Sequence, residues 1–374
     1  MVTGTYNLGT ERRPFLVEFS VNPFFDLLMS TWSSLGGEEK AGAYEVGAEW
    51  FDEFRTRMPD GTVERLREMS GGLDHTFVLW RTAGLIADRA TGIETIDDSL
   101  DWLRDQPFRA ALASELCWSA ASADLEAALD RDPDAIDRVL EAVSKRGDKT
   151  EEEWELRSAE MRGFLSDGVD DLGLRLADLL GEIRDNAFRH IEEAWSAGMR
   201  RSAAAVEMMV PGSEAQDLIE RVTQGIDYQI PLGTTRLVLV PSVIIRPWSM
   251  VEEIGSSVVI AYPVDEEHLS VDPDAAPGWL VSFYKALGDG KRLKILRRLA
   301  TGPADLTELT ELLGMAKSST FHHIGVLRSA GLVKVHLGGT NSGTYELRTR
   351  AFRDAEGLLD KYIDQPLIDT EEST

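Results

Sequence analysis

Apolar positions along this chain follow two periods. Between residues 23 and 209 the repeat is helical: Leu172, Leu176, Leu179 and Leu180 share a face, and Ile183, Phe188 and Ile191 extend the stripe. Asp132-Pro133-Asp134 reads as a helix start, with the proline in the first turn, where its missing N–H costs nothing. Runs rich in β-branched and aromatic residues predict strands at Phe15–Phe19, Arg236–Ser242 and 257–262. The pattern breaks at Asp272-Pro273-Asp274-Ala275-Ala276-Pro277, where two prolines among small and acidic residues predict a linker.

After the linker the elements become short and closely punctuated. An apolar helix over 279–287 ends at Gly288, and Asp289 is placed to cap a second helix whose apolar side is Leu293, Ile295, Leu296 and Leu299. Gly302-Pro303 stops it. Asp305 opens a third helix with Leu306, Leu309, Leu312 and Leu313 facing inward, and Gly314 separates it from a fourth, Lys317–Ser329. Two short helices joined at a glycine form a helix-turn-helix, whose second helix is suited to the major groove of DNA.

On that fourth helix Thr320, Ile324 and Leu327 point inward, while Ser318, His322 and Gly325 fall opposite, flanked by Ser319 and Phe321. No Asp or Glu occurs between Met315 and Lys334, whereas Lys317, Arg328 and Lys334 are basic. Lys317 lies near the helix N-terminus, where unpaired amides also favour phosphate. Ala330-Gly331-Leu332 supplies a glycine C-cap, and Val333–Leu337 with Thr344–Leu347 predict a hairpin, the wing, around residues 338–343. Phe352, Ala355, Leu359 and Tyr362 then form an amphipathic helix suited to a dimer contact.

Charge changes the picture through its distribution. The net charge of −26 argues against a nucleic-acid partner. Residues 278–364, however, carry +4, the last ten residues −3 and residues 1–277 carry −27. The predicted organisation is an acidic module over 1–271, a linker at 272–277, a basic winged helix at 278–364 and an acidic tail at 365–374, an α+β protein. The longest apolar run, 237–245, is interrupted by Pro241 and Ser242 and falls well short of a membrane span. The first residues lack the apolar core of an export signal, and a single cysteine, Cys117, fits a reducing compartment, so a cytoplasmic location is expected.

The runs Ala286-Leu287-Gly288-Asp289-Gly290-Lys291-Arg292-Leu293, Leu306-Thr307-Glu308-Leu309 and Ser318-Ser319-Thr320-Phe321-His322-His323-Ile324-Gly325-Val326-Leu327-Arg328-Ser329-Ala330-Gly331-Leu332-Val333 resemble the ArsR-type winged-helix repressors. The resemblance covers about the last ninety residues. It implies a homodimer that sets two recognition helices on a palindromic double-stranded operator. It gives DNA-contact roles to Lys317, Ser318, Ser319, Phe321, His322 and His323, with Arg328 as a further basic residue of the same acid-free stretch. Phe321 stands where the family commonly has serine, which suits contact with a thymine methyl. The wing tip lacks the arginine often found there, leaving wing contacts to backbone amides, Asn341, Lys334 and His336. The stretches 237–242 and Tyr262-Pro263 also look like the large N-terminal region attached to such repressors in actinobacteria.

Other chemistries find little footing. Metal sensors of this type often carry cysteines on the third helix, but 305–314 has none, and the last helix offers Asp354, Glu356, Asp360 and Asp364 without a histidine. Adjacent His322 and His323 project about 100° apart and are poorly placed to chelate one ion. His190-Ile191-Glu192-Glu193 lacks the second histidine of a zinc protease. Asp74-His75 has no nucleophile beside it, Cys117 reads as a small buried hydrophobe, and Glu151-Glu152-Glu153 as a solvated helix start. The expectation is a regulator with no cofactor, no metal and no catalytic residues. A small-molecule effector or dimerisation alone remains open for residues 1–271, where eight tryptophans build a core or line a pocket. An N-terminal enzyme or a protein-interaction adaptor fused to a winged helix is the rival reading.

Overall fold

The computed structural model describes residues 6–8, 15–36, 44–88, 92–144, 151–269, 278–337 and 342–364. The fold is α+β and divides into two compact units, one of residues 22–42 and 46–193, the other of 1–21, 43–45 and 194–374.

The first unit is helical among its described residues: α1 (Phe24–Leu35), α2 (Ala48–Arg57), α3 (Thr62–Ser70), α4 (His75–Asp88), α5 (Ile96–Asp105), α6 (Phe108–Leu116), α7 (Ser122–Leu129), α8 (Pro133–Ser144), α9 (Glu151–Asp167) and α10 (Leu172–Ile183), followed by a π-turn at Arg184–Phe188. The leucine stripe predicted on α10 is fully buried. Thr95 caps α5 reciprocally with Asp98, satisfying two amides at once. Two buried arginines tie helices together. Arg109 pairs with Asp170 at 2.9 Å and donates to the carbonyls of Leu129 and Leu165, 3.1 and 2.7 Å away. Arg184 bridges Glu192 and Asp97, at 2.7 and 2.6 Å, and its hydrogen bonds to Glu192 raise its affinity for the proton. Tryptophans pack on other rings here: Trp32 against Trp80 at 5.4 Å, Trp50 stacked on Phe54, and Trp102 edge-on to Phe108. Cys117 is buried, which pushes its thiol up to about 12 and leaves it inert.

The second unit holds the strands. β1 (Tyr6–Leu8) pairs antiparallel with β2 (Phe15–Phe19) at one edge. The chain returns through α11 (Arg189–Glu207, in this unit from Ala194), α12 (Ala215–Val222) and β3 (Ile226–Tyr228), then enters β4 (Arg236–Ser242), β5 (Met250–Ile254) and β6 (Ser257–Pro263). β2, β4 and β6 run parallel, with β5 antiparallel on the far edge, giving the order β1-β2-β4-β6-β5. β4 and β6 are almost continuously apolar because both of their faces are buried, as central parallel strands require. The three predicted strands coincide with β2, β4 and β6.

The winged helix follows as α13 (Gly278–Leu287), α14 (Gly290–Leu299), β7 (Ala304–Asp305), α15 (Leu306–Leu313), α16 (Lys317–Ser329), β8 (Val333–Leu337), β9 (Thr344–Leu347) and α17 (Thr349–Ile363). Sequence pattern sets this domain apart at a linker over 272–277, which lies outside the described residues, as does the tail at 365–374. In the fold it shares a unit with the sheet. β3 adds to the wing in parallel, so the second sheet reads β3-β8-β9-β7. The approach is close at Gly225, where φ is +123° and any Cβ would meet the Val333 carbonyl at 2.7 Å. One apolar core runs from Val17, Leu239 and Ile260 through Ile219 to Phe283, Ile295, Leu309, Leu327 and Leu332.

Candidate nucleic-acid interface

Local chemistry positions the two helices of the helix-turn-helix. Asp289 caps α14 by accepting from the amides of Lys291 and Arg292, at 2.8 and 3.0 Å. Those donors, Arg292 first, hold its carboxyl below the usual range. Asp305 caps α15 through the Glu308 amide at 2.8 Å, and Gly314 ends that helix. α16 then turns Thr320, Ile324 and Leu327 into the core, all at most 2% exposed.

The opposite side of α16 divides into two parts. Toward its N-terminus Lys317, Ser318 and His322 are exposed, Ser319 is partly so, and Phe321 is 44% exposed. Toward its C-terminus two expectations need correction. Gly325, predicted on the groove side, is buried against the indole of Trp248. Arg328, predicted as a DNA-facing cation, is 6% exposed, with its guanidinium 5.4 Å from the Trp248 ring and Nη2 donating to the Pro247 carbonyl at 3.4 Å. Desolvation lowers its pKa to about 10, so it remains a cation at neutral pH but one turned into the protein.

His323 also turns inward. Its Nδ1 lies 3.9 Å from Asp289 without a hydrogen bond, and burial pushes the imidazole below its ordinary range. On the wing, strand register redirects both predicted contacts. β8 pairs Lys334 across from Glu346, and Nζ lies 3.4 Å from that carboxylate. His336 sits opposite Asp227 of β3, its Nδ1 2.8 Å from Asp227 and its Nε2 3.0 Å from Glu346. Lys334 and His336 are therefore corrected from open DNA contacts to groups engaged by protein carboxylates. Asn341 lies outside the described residues.

Trp248, Asp227 and Glu346 escape the sequence reading. One signal pointed to the first: a flat ring at Phe321 followed one turn later by a glycine on the same side leaves a notch that an aromatic ring can fill. Among the described residues no three His, Cys, Asp or Glu side chains converge as a metal ion needs, and no helix is long and apolar enough to cross a membrane.

Comparison with known proteins agrees with this geometry. Residues 289–335 match the family described as "Bacterial regulatory protein, arsR family". The chain is 41% identical over 58 residues to the HTH-type transcriptional regulator NmtR of Mycobacterium tuberculosis, a match covering 16% of this chain and 48% of that relative. The chain thus spans about half the length of the curated relative it matches. No solved structure matches it.

Proposed function

We propose, from the match of residues 289–335 to the arsR family and the winged helix-turn-helix built around them, that the chain is a DNA-binding transcriptional regulator. The observation that carries this reading is the N-terminal half of α16, which presents Lys317, Ser318 and His322 to solvent on a helix without a single carboxylate. Hydroxyl and imidazole groups donate and accept at base edges, and the lysine beside the helix N-terminus suits a phosphate. A regulator of this kind acts where the chromosome is, which is consistent with a cytoplasmic location.

The finer reading is a homodimeric repressor. Tyr284 on α13, Leu293 on α14, and Phe352 and Ile363 on α17 are large apolar side chains left exposed, 36–68% of each. A two-fold pairing through these helices covers them and presents two α16 helices to a palindrome. Residues 1–271 then act as a binding module rather than a catalyst, sensing a small molecule or stabilising the dimer. An effector there shifts DNA affinity only by its preference between two states.

Retention of duplexes from a random library at two salt concentrations tests the DNA reading. Binding that falls steeply with salt is expected, and no retention even at about 50 mM salt removes it. Sedimentation of the full chain tests the dimer, and a purely monomeric species at micromolar concentration rules it out.

A further inference from the structure

The segment between β4 and β5 lies on the recognition helix. Trp248 stacks on Phe321 with ring centroids 5.0 Å apart and planes 4° from parallel. One turn on, its indole fills the space a side chain would occupy at Gly325: a Cβ there would come within 2.9 Å of Cζ2 and Cζ3, and closer still to Cη2. Arg328 closes the seat from the next turn. Residues 321, 325 and 328 form one stripe at helical spacing, so the ring covers the flank of α16 over its second half.

The segment is anchored on both sides of the tryptophan. Val243, Ile244 and Ile245 are buried, Arg246 pairs with Glu45 at 2.7 Å, and the Ser249 hydroxyl donates to the Thr223 carbonyl at 3.3 Å. A helix with its side chains is about 10–12 Å across, and the major groove is about 12 Å wide. A helix already about that wide leaves the groove little room for an indole stacked on its flank.

We propose that Trp248 is an autoinhibitory latch: seated on Phe321 and Gly325 it masks the recognition helix, and DNA binding requires it to lift. The inference rests on the DNA-binding reading above. A bias of about tenfold toward the seated form, of the order a packed aromatic pair supplies, lowers the apparent affinity of the full chain about tenfold. Gly325 is then a specific requirement of the latch, because any side chain there unseats the ring.

The test uses the full-length wild type, Trp248→Ala and Gly325→Ala, each taken separately through selection on a random duplex library at low salt and then titrated on the duplexes recovered. Both variants are expected to bind about tenfold more tightly than wild type, with faster amide exchange over residues 318–326 in the absence of DNA. Gly325→Ala replaces a helical glycine with the best helix former, so it keeps the test decisive if Trp248→Ala folds poorly. A folded variant that binds equally or more weakly, while wild type retains duplex, overturns the latch and leaves the DNA reading standing. Failure of all three proteins to retain any duplex overturns both.

Discussion

The two halves of α16 meet different surroundings although neither carries a carboxylate. Over its first turns α16 offers Lys317, Ser318 and His322 to solvent. Over its last turns Gly325 and Arg328 are buried against Trp248 and Pro247, and the adjoining wing strand commits Lys334 and His336 to Glu346 and Asp227. A local excess of basic residues therefore does not translate into groove-facing charge. Three of the polar or cationic groups expected to meet DNA are held by a ring, a carbonyl or a carboxylate of the same unit, and the side left open is small and sits at one helix end.

The contrast yields predictions of graded size. Ile324→Ala undercuts both halves at once, because this side chain is 2% exposed in the shared core; a loss of about 2–5 kcal/mol in denaturant unfolding is expected. The double change Ser318→Ala with His322→Ala addresses the open half alone. It should weaken binding to a selected duplex by about a hundredfold with the melting temperature unchanged. Intact binding would mean that another face reads DNA.

Arg328→Ala and Lys317→Ala separate the halves most directly, since each removes one cation. At Arg328 the expected cost is stability, about 1–2 kcal/mol from the lost contact over Trp248, with no change in the salt dependence of DNA binding. At Lys317 the expected change is the reverse: unaltered melting, and a log–log salt slope shallower by about one. Equal salt slopes for the two variants would erase the distinction.

The smallest effect concerns the cap that leads into the domain. Asp289→Ala should cost about 1 kcal/mol at pH 7. The Asp289 carboxyl is held below its unfolded value by the Arg292 and Lys291 amides, so its contribution is complete above about pH 4 and is lost as pH falls through the folded value. The gap between wild type and Asp289→Ala should thus begin to narrow only as pH falls below about 4, and shrink further on continued acidification. Asp289→Asn, which keeps an acceptor, should show no such fading.

Much of this fold is legible along the chain. Asp289 and Asp305 announce helix starts, Gly314 and Gly331 announce ends, and the predicted limits Lys317–Ser329, Val333–Leu337 and Thr344–Leu347 coincide with α16, β8 and β9. β3 was not legible: Ile226-Asp227-Tyr228 is too short for a period, and its strand character exists only through the ladder to β8. Nor was the division of the chain, because prolines mark where a helix cannot continue, not which buried surfaces later merge into one core.

The difference is one of range. Caps, glycine turns and hydrophobic period act across four or five neighbouring residues, and those interactions persist wherever the segment is placed. They determine that α15 and α16 form a helix-turn-helix and that one face of α16 is free of acids. Which part of that face stays open depends on groups brought in from distant segments: Trp248 onto Phe321 and Gly325, Pro247 onto Arg328, Asp227 onto His336. Those contacts are made only by packing, and they reduce the acid-free face marked by sequence to the cluster of Lys317, Ser318 and His322.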